Sequence, residues 1–307
     1  MKFLDYYQKM GLNNIDEVFE FFLKTLKPSN RTFDFFVDWA KIFRNIDNIE
    51  IELNLLNYLI GKENIKKEFK CLIKRYPNVA AVIPILVALR EKNVDILVDF
   101  TKEDWVYKRF VFKKDKQYMN SEIEDLVEFA DKTGILQLFT NKKIKNIVDY
   151  CLGLEVGLDT NGRKNRSGKI TEDIVGLYIE KTCKKLGLEY FCNPSKNLIK
   201  SQWHIELPVD KTSRKYDFAI NNQGKLILIE TNFFGDGGSK LKSVAGEFIA
   251  LNNYLKNFET VDKFIWITDG IGWLKDYNPL KESFINIDYL VNFRMVYNGI
   301  LEEIISI

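Results

Sequence analysis

The stretch Lys215–Lys242, KYDFAINNQGKLILIETNFFGDGGSKLK, decides the fold. Read at period two, Lys215, Asp217 and Ala219 fall on one side of a first strand-like segment, and Leu226, Leu228, Glu230 and Asn232 share a side of a second. Between them, Asn221-Asn222-Gln223-Gly224 is a turn signal, so the spacing predicts a hairpin that carries Asp217 and Glu230 onto one face. Two carboxylates in an otherwise apolar hairpin repel each other and lose hydration, and a divalent cation relieves both costs. The pair therefore reads as metal ligands, because unpaired carboxylates on a strand face are expensive in a purely structural role.

An acidic residue at the end of one strand, followed on the next by Glu-x-(Lys or a polar substitute), resembles the PD-(D/E)xK nuclease pattern, here as Asp217 and Glu230-Thr231-Asn232. Three longer phrases are more specific: GLDTNGRKNRSG at 157–168, IETNFFGDGGSKL at 229–241 and WITDGIGW at 266–273. Together, and in this order, they resemble the DpnII/MboI family of type II restriction endonucleases. The distinctive matches cover about residues 145–285, and IEIELNLLNYLIGK at 49–62 is compatible with the same family.

The resemblance implies a mixed α/β fold with a PD-(D/E)xK core and a largely helical N-terminal region. It also implies Mg²⁺-dependent hydrolysis of double-stranded DNA at GATC, leaving 5′-phosphate ends and hindered by adenine methylation. A palindromic site is most economically read by a two-fold homodimer. Two other readings stay open on the residues alone: a structure-selective repair or resolvase-type nuclease with the same core, and a catalytically silent GATC-binding protein.

Composition sets the outer limits. The chain has 307 residues, 46% of them hydrophobic and 14% aromatic, enough for a sizeable core, and a net charge of only +2. A uniformly basic coat is thereby excluded, whereas a basic cleft balanced by acid elsewhere is not. The longest apolar run, Val79–Leu89, contains Pro84 and falls short of the ~20 residues that cross a bilayer. The opening MKFLDYYQKM lacks the apolar region of an export signal, so a cytoplasmic protein without membrane contact is expected. Cys71, Cys151, Cys183, Cys192 and the single His204 have no zinc-site spacing.

The pattern changes near residue 150, which predicts a mostly helical region at 1–150, for DNA binding or dimerisation, and a nuclease catalytic core at 151–307. Amphipathic periodicity predicts helices over Asp16–Leu26 and Glu50–Ile60, and Ser121-x-x-Glu124 reads as a capping box. Lys108, Arg109, Lys113, Lys114 and Lys116, interleaved with Trp105, Tyr107, Phe110 and Phe112, read as a solvated, lysine-guarded edge or as a DNA-facing surface.

Candidate DNA contacts concentrate at Asn161, Arg163, Lys164, Asn165, Arg166 and Lys169, read as a loop before a helix that starts near Thr171. Arginine can grip guanine O6 and N7, and asparagine can grip adenine N6 and N7, so these residue types suit a site containing G and A. Composition alone favours a solvated loop; the resemblance favours DNA.

Glu172, placed at the start of that helix, is a candidate third metal ligand by resemblance to nucleases in which the preceding helix supplies a carboxylate. Compensation of the helix dipole is the plain alternative. Asn232 occupies the position where the pattern ordinarily has lysine, so another cation must compensate; the GGSKL match points to Lys240, in a helix that Ser239 would cap. Trp266 and Trp273 read as core aromatics.

Overall fold

The computed structural model describes residues 1–101 and 104–307. They form two compact units, Phe36–Arg163 and the combination of Met1–Phe35 with Lys164–Ile307.

The Phe36–Arg163 unit is mainly helical, with helices at Trp39–Asp47, Glu50–Asn57, Ile65–Arg75, Asn120–Lys132, Ile135–Thr140 and Ile147–Asp159. Its core gathers Leu53, Leu56, Phe69, Ile83, Phe112, Phe129 and Phe139. The apolar run ending at Leu89 lies mostly in a 3-10 segment, Pro77–Val87. Strands β1 (Asn93–Asp99) and β2 (Val106–Val111) pair antiparallel. In this hairpin Arg109 pairs with Asp95 and Lys108 with both Asp125 and Glu128, which accounts for two of the basic residues as ion-paired edge residues. The Asn120–Lys132 helix starts two residues earlier than Ser121-x-x-Glu124 suggests: Glu122, not Glu124, reaches back to accept from the backbone N–H of Met119 at 2.9 Å. No helix of the described residues is long and apolar enough to cross a membrane.

The other unit is built on a five-stranded mixed sheet: β3 (Glu189–Cys192), β4 (Phe218–Asn222), β5 (Lys225–Phe233), β6 (Val261–Asp269) and β7 (Tyr289–Val291), hydrogen-bonded in that order. β3, β4 and β5 are antiparallel, while β5, β6 and β7 are parallel. The β4–β5 connection is a two-residue turn in which Gln223 and Gly224 both have positive φ, 54° and 86°, the conformation of a tight hairpin turn. The parallel β5–β6 crossover uses the helix Ser239–Leu255, whose Phe248 packs edge-on against Trp266 of β6. Ile227, Leu228, Ile229, Ile265 and Ile267 are fully buried in this core. They form the near-continuous apolar runs expected of central strands covered on both faces.

The phrase WITDGIGW is explained by a close backbone approach. Gly270 has φ +108°, and a Cβ there would collide with the backbone of Phe234. Asp269 is fully buried, and its carboxylate accepts from the backbone N–H groups of Lys27, Gly270 and Phe293 at 2.6, 2.7 and 2.9 Å. It ties together three chain segments, and its backbone carbonyl accepts from the N–H of Phe234 at 2.9 Å, which holds the end of β6 beside the end of β5. The expectation that Trp266 and Trp273 are core residues agrees with their full burial.

Two sequence-based boundaries require correction. The 163–169 segment is not a loop: the helix runs unbroken from Arg163 to Leu186, so Glu172 lies well inside it, away from the first turn. With no capping signal at Thr171 and a glycine at 168, local pattern alone placed the start too late. Ser239 is the first helical residue rather than the cap; Gly238, at φ +147°, occupies the cap position, and its N–H donates to Asp276 at 2.8 Å.

Candidate active site

The hairpin register pairs Phe218 with Ile229, which sets Asp217, just before β4, across from Glu230 on β5. The two carboxylates stand near each other at the end of the hairpin, where the charge of Asp217 acts on Glu230. One oxygen of Asp217, Oδ2, accepts from both the backbone N–H and the hydroxyl of Thr231, each at 2.7 Å. Burial pushes the Asp217 carboxyl up to about 6 against the pull of those two bonds, and the charge of Glu172 adds to the rise.

Glu230 is only 7% exposed, and its Oε1 has no hydrogen-bond partner among the described residues. Burial, then the charge of Asp217, pushes its carboxyl up to about 9, opposed by Arg214. The Arg214 guanidinium stands 3.7 Å from that oxygen, close enough for charge attraction but too far for a hydrogen bond. Arg214 is held elsewhere: it grips Asp210 through two bonds of 2.8 Å, pairs with Glu247 at 2.8 Å and lies against the Phe248 ring.

A partly buried and a buried carboxylate near one another, the second with an orphaned oxygen, suit an oxygen-seeking divalent cation. Asp217 and Glu230 would supply the protein ligands. Among the described residues no group of three or more His, Cys, Asp or Glu side chains is arranged to hold a metal. Glu172 accepts instead from Asn193 Nδ2 at 3.1 Å and acts on Asp217 through its charge.

Asn232, two residues beyond Glu230 on β5, accepts from the indole N–H of Trp266 at 3.0 Å. Lys240 is exposed in the first turn of its helix, and Lys215 is exposed ahead of β4. Sequence reasoning missed Arg214 and Thr231. The signal for Arg214 was its four-residue spacing from Asp210 and its place just before Asp217; Thr231 lay unnoticed inside the Glu-x-Asn triplet.

The DNA-contact candidates occupy the start of the long helix. Arg163 Nε donates to the carbonyl of Phe36 at 3.2 Å, and Arg166 Nε donates to that of Phe35 at 2.9 Å. Lys169 pairs with Asp173, one turn on, at 2.8 Å. Lys164 and Asn165 are exposed, and Asn161 is exposed in the preceding 3-10 turn. Asn30 braces this part of the helix by donating to the Ser167 carbonyl and to the hydroxyl of Thr171, both at 2.9 Å.

A carboxylate pair at the end of a central hairpin, in a mixed sheet with a crossover helix, defines a restriction-endonuclease-like nuclease core. Comparison with known proteins gives the particular group. A family model described as DpnII restriction endonuclease matches residues 18–303, and the chain belongs to that family. It is 48% identical over 291 residues to the type II restriction enzyme MjaIII of Methanocaldococcus jannaschii, covering 94% of this chain and 99% of that protein. The type II restriction enzyme DpnII of Streptococcus pneumoniae is 35% identical over 290 residues, covering 93% and 98% of the two chains. For the type II restriction enzyme MboI of Moraxella bovis the identity is 33% over 288 residues, covering 94% and 96%. The protein is thus a site-specific endonuclease of the restriction type.

Proposed function

We propose that this endonuclease cleaves double-stranded DNA at GATC by Mg²⁺-dependent hydrolysis, in the cytoplasm and as a homodimer, with adenine methylation hindering the cut. The observation that carries the chemistry is the Asp217–Glu230 pair with the buried, orphaned Glu230 Oε1. The family resemblance supplies GATC, and the palindrome supplies the two-fold dimer.

In the reaction, a water oxygen forms a bond to phosphorus, the bond from phosphorus to the 3′ oxygen breaks, and that oxygen takes a proton. The products are a 5′-phosphate and a 3′-hydroxyl. Mg²⁺, when bound, lowers the pKa of the water and offsets charge on the leaving oxygen. Asp217 and Glu230 would hold the cation; Thr231 orients the Asp217 carboxylate through Oδ2; Arg214 keeps Glu230 from facing the neighbouring carboxylates uncompensated. Arg163, Arg166, Lys164, Lys169, Asn161 and Asn165 read or grip the DNA, Glu172 assists the metal site, and Lys240 adds positive charge near phosphate. The 1–150 region serves DNA binding or dimerisation, and 151–307 carries the catalytic core.

Adenine readout through Asn161 or Asn165 would use N6 and N7 in the major groove, where an N6-methyl competes for space. Matched plasmids prepared with and without adenine methylation test this at equal enzyme and Mg²⁺. Slower cutting of methylated DNA is expected, and equal initial rates would remove methylation sensitivity from the reading.

A further inference from the structure

Trp266 is fully buried, yet its one polar atom is committed to the active site rather than to the core. In the parallel register it lies across from Glu230, and its Nε1 donates to Asn232 Oδ1 at 3.0 Å. An indole N–H can only donate, so its partner on the carboxamide must be the oxygen. The amide orientation of Asn232 is thereby fixed, with its NH₂ group turned away from Trp266. Asn232 shares the Glu230 face of β5, being two residues further along the strand. Among the described residues no protein group accepts from that NH₂; its two donors remain for a ligand at the carboxylate pair.

The tryptophan ring cannot swing to release the amide. Phe248 packs against it edge-on, with ring centroids 5.0 Å apart at 88°, and Trp273 does so at 5.8 Å and 76°. Trp273 is in turn fixed by donating to Thr268 Oγ1 at 2.9 Å. This explains the chemistry within WITDGIGW: one tryptophan orients a site residue, and the second locks the first.

We propose that Trp266 is a positioning residue for DNA hydrolysis. It pins Asn232 so that the carboxamide NH₂ stands as a preorganised donor to the phosphate oxygen on which negative charge builds during attack. A neutral donor held in place needs no reorganisation as the charge develops, which is how an asparagine can serve where the family pattern has lysine. The proposal rests on the hydrolytic reading of the Asp217–Glu230 site.

The test is a double-mutant cycle on full-length protein with a GATC duplex, combined with ¹⁵N NMR of the indole N–H groups. Asn232→Ala should lower kcat by about a hundredfold, the scale for losing one such donor. Trp266→Phe should lower kcat about tenfold with KM unchanged, and the double variant should be no slower than Asn232→Ala, because Trp266 acts through Asn232. Multiplying effects, or an unchanged kcat in Trp266→Phe, would overturn the proposal.

Asn232→Asp keeps the acceptor for Trp266 and removes the donors, so it should leave the Trp266 indole signal in place while losing cleavage as Asn232→Ala does. Wild-type cleavage by Asn232→Asp would also overturn the proposal, and this comparison stands even if Trp266→Phe fails to fold. Asn232→Ala should shift one indole signal of the five tryptophans, and no shift would disprove the pin itself. If wild-type enzyme cuts no DNA, the hydrolytic reading fails, while the indole signals still report whether the pin exists.

Discussion

Thr231 gives both its backbone N–H and its hydroxyl to a single oxygen of Asp217, at 2.7 Å each. The carboxylate is therefore oriented from the neighbouring strand, with Oδ1 outside that clamp. The Thr231 of the Glu-x-Asn triplet is a support for the first acid as well as a spacer between Glu230 and Asn232. Rigid support of this kind matters because small misplacements of reacting groups cost large factors in rate.

Thr231→Val keeps the shape and the backbone bond but removes the hydroxyl. The loss of one hydrogen bond to a charged group is worth about 1.5–3 kcal/mol. Cleavage should fall roughly tenfold or more by that energy while DNA binding persists, as measured by single-turnover cleavage and gel shift. Wild-type turnover in this variant would show that the clamp is dispensable.

Glu230 gives a pH dependence of defined sign. Its carboxyl is raised in the folded protein from an ordinary 4.5 to about 9. The folded state thus holds a proton that the unfolded chain releases, so its contribution to stability is full below pH 4.5 and is lost as pH rises through about 9. Glu230→Gln removes that loss. In EDTA the variant's advantage in Tm over wild type should widen from about pH 5 to pH 8, and added Mg²⁺ should raise wild-type Tm more than the variant's. A Tm difference that is flat with pH would contradict the assigned burial of this carboxylate.

Arg214 is 6% exposed in its side chain and serves Asp210, Glu247 and Glu230 at once. Removing one partner from a buried ionic group leaves uncompensated charge and typically costs about 3–5 kcal/mol. Arg214→Met should destabilise by about that amount in urea denaturation, and Arg214→Lys by less, since lysine keeps the charge but not the planar fork that grips Asp210. Unchanged stability in Arg214→Met would show that these acids do not depend on it.

Arg163 and Arg166 divide into base reader and phosphate anchor by their effects on specificity. A base-reading arginine replaced by alanine should cost about 1–3 kcal/mol and relax discrimination at one base pair. A phosphate anchor should weaken all sequences alike and reduce the salt slope by about one. Fluorescence anisotropy with GATC and single-substitution duplexes across a salt series measures both. Unchanged affinity and discrimination in Arg163→Ala and Arg166→Ala would remove both residues from the DNA interface.

The hairpin and its acids were legible because strand alternation and turn chemistry are local signals, and both lie within 14 residues of Asp217. The same locality misplaced the start of the Arg163–Leu186 helix: its first turns carry Arg, Lys, Asn, Ser and Gly, poor in apolar periodicity, and are braced by Asn30, 137 residues away from Ser167. Arg214 and Trp266 were hidden for a related reason. The Arg214–Glu247 pair and the Trp266–Asn232 bond join residues 33 and 34 positions apart, across a crossover that no period reveals. Only the fold shows Asp269 collecting backbone donors from Lys27 and Phe293, which are remote from it in sequence.

The most direct test of the central claim is digestion of an unmethylated plasmid by the purified wild-type enzyme and by Asp217→Ala and Glu230→Ala in Mg²⁺, followed by sequencing of the ends. The account predicts cuts at GATC alone with 5′-phosphate ends for the wild type, and no cutting by either variant although both still bind the site in a gel shift. Absence of cleavage by the wild type, cuts unrelated to GATC, or wild-type cleavage by either variant would contradict it.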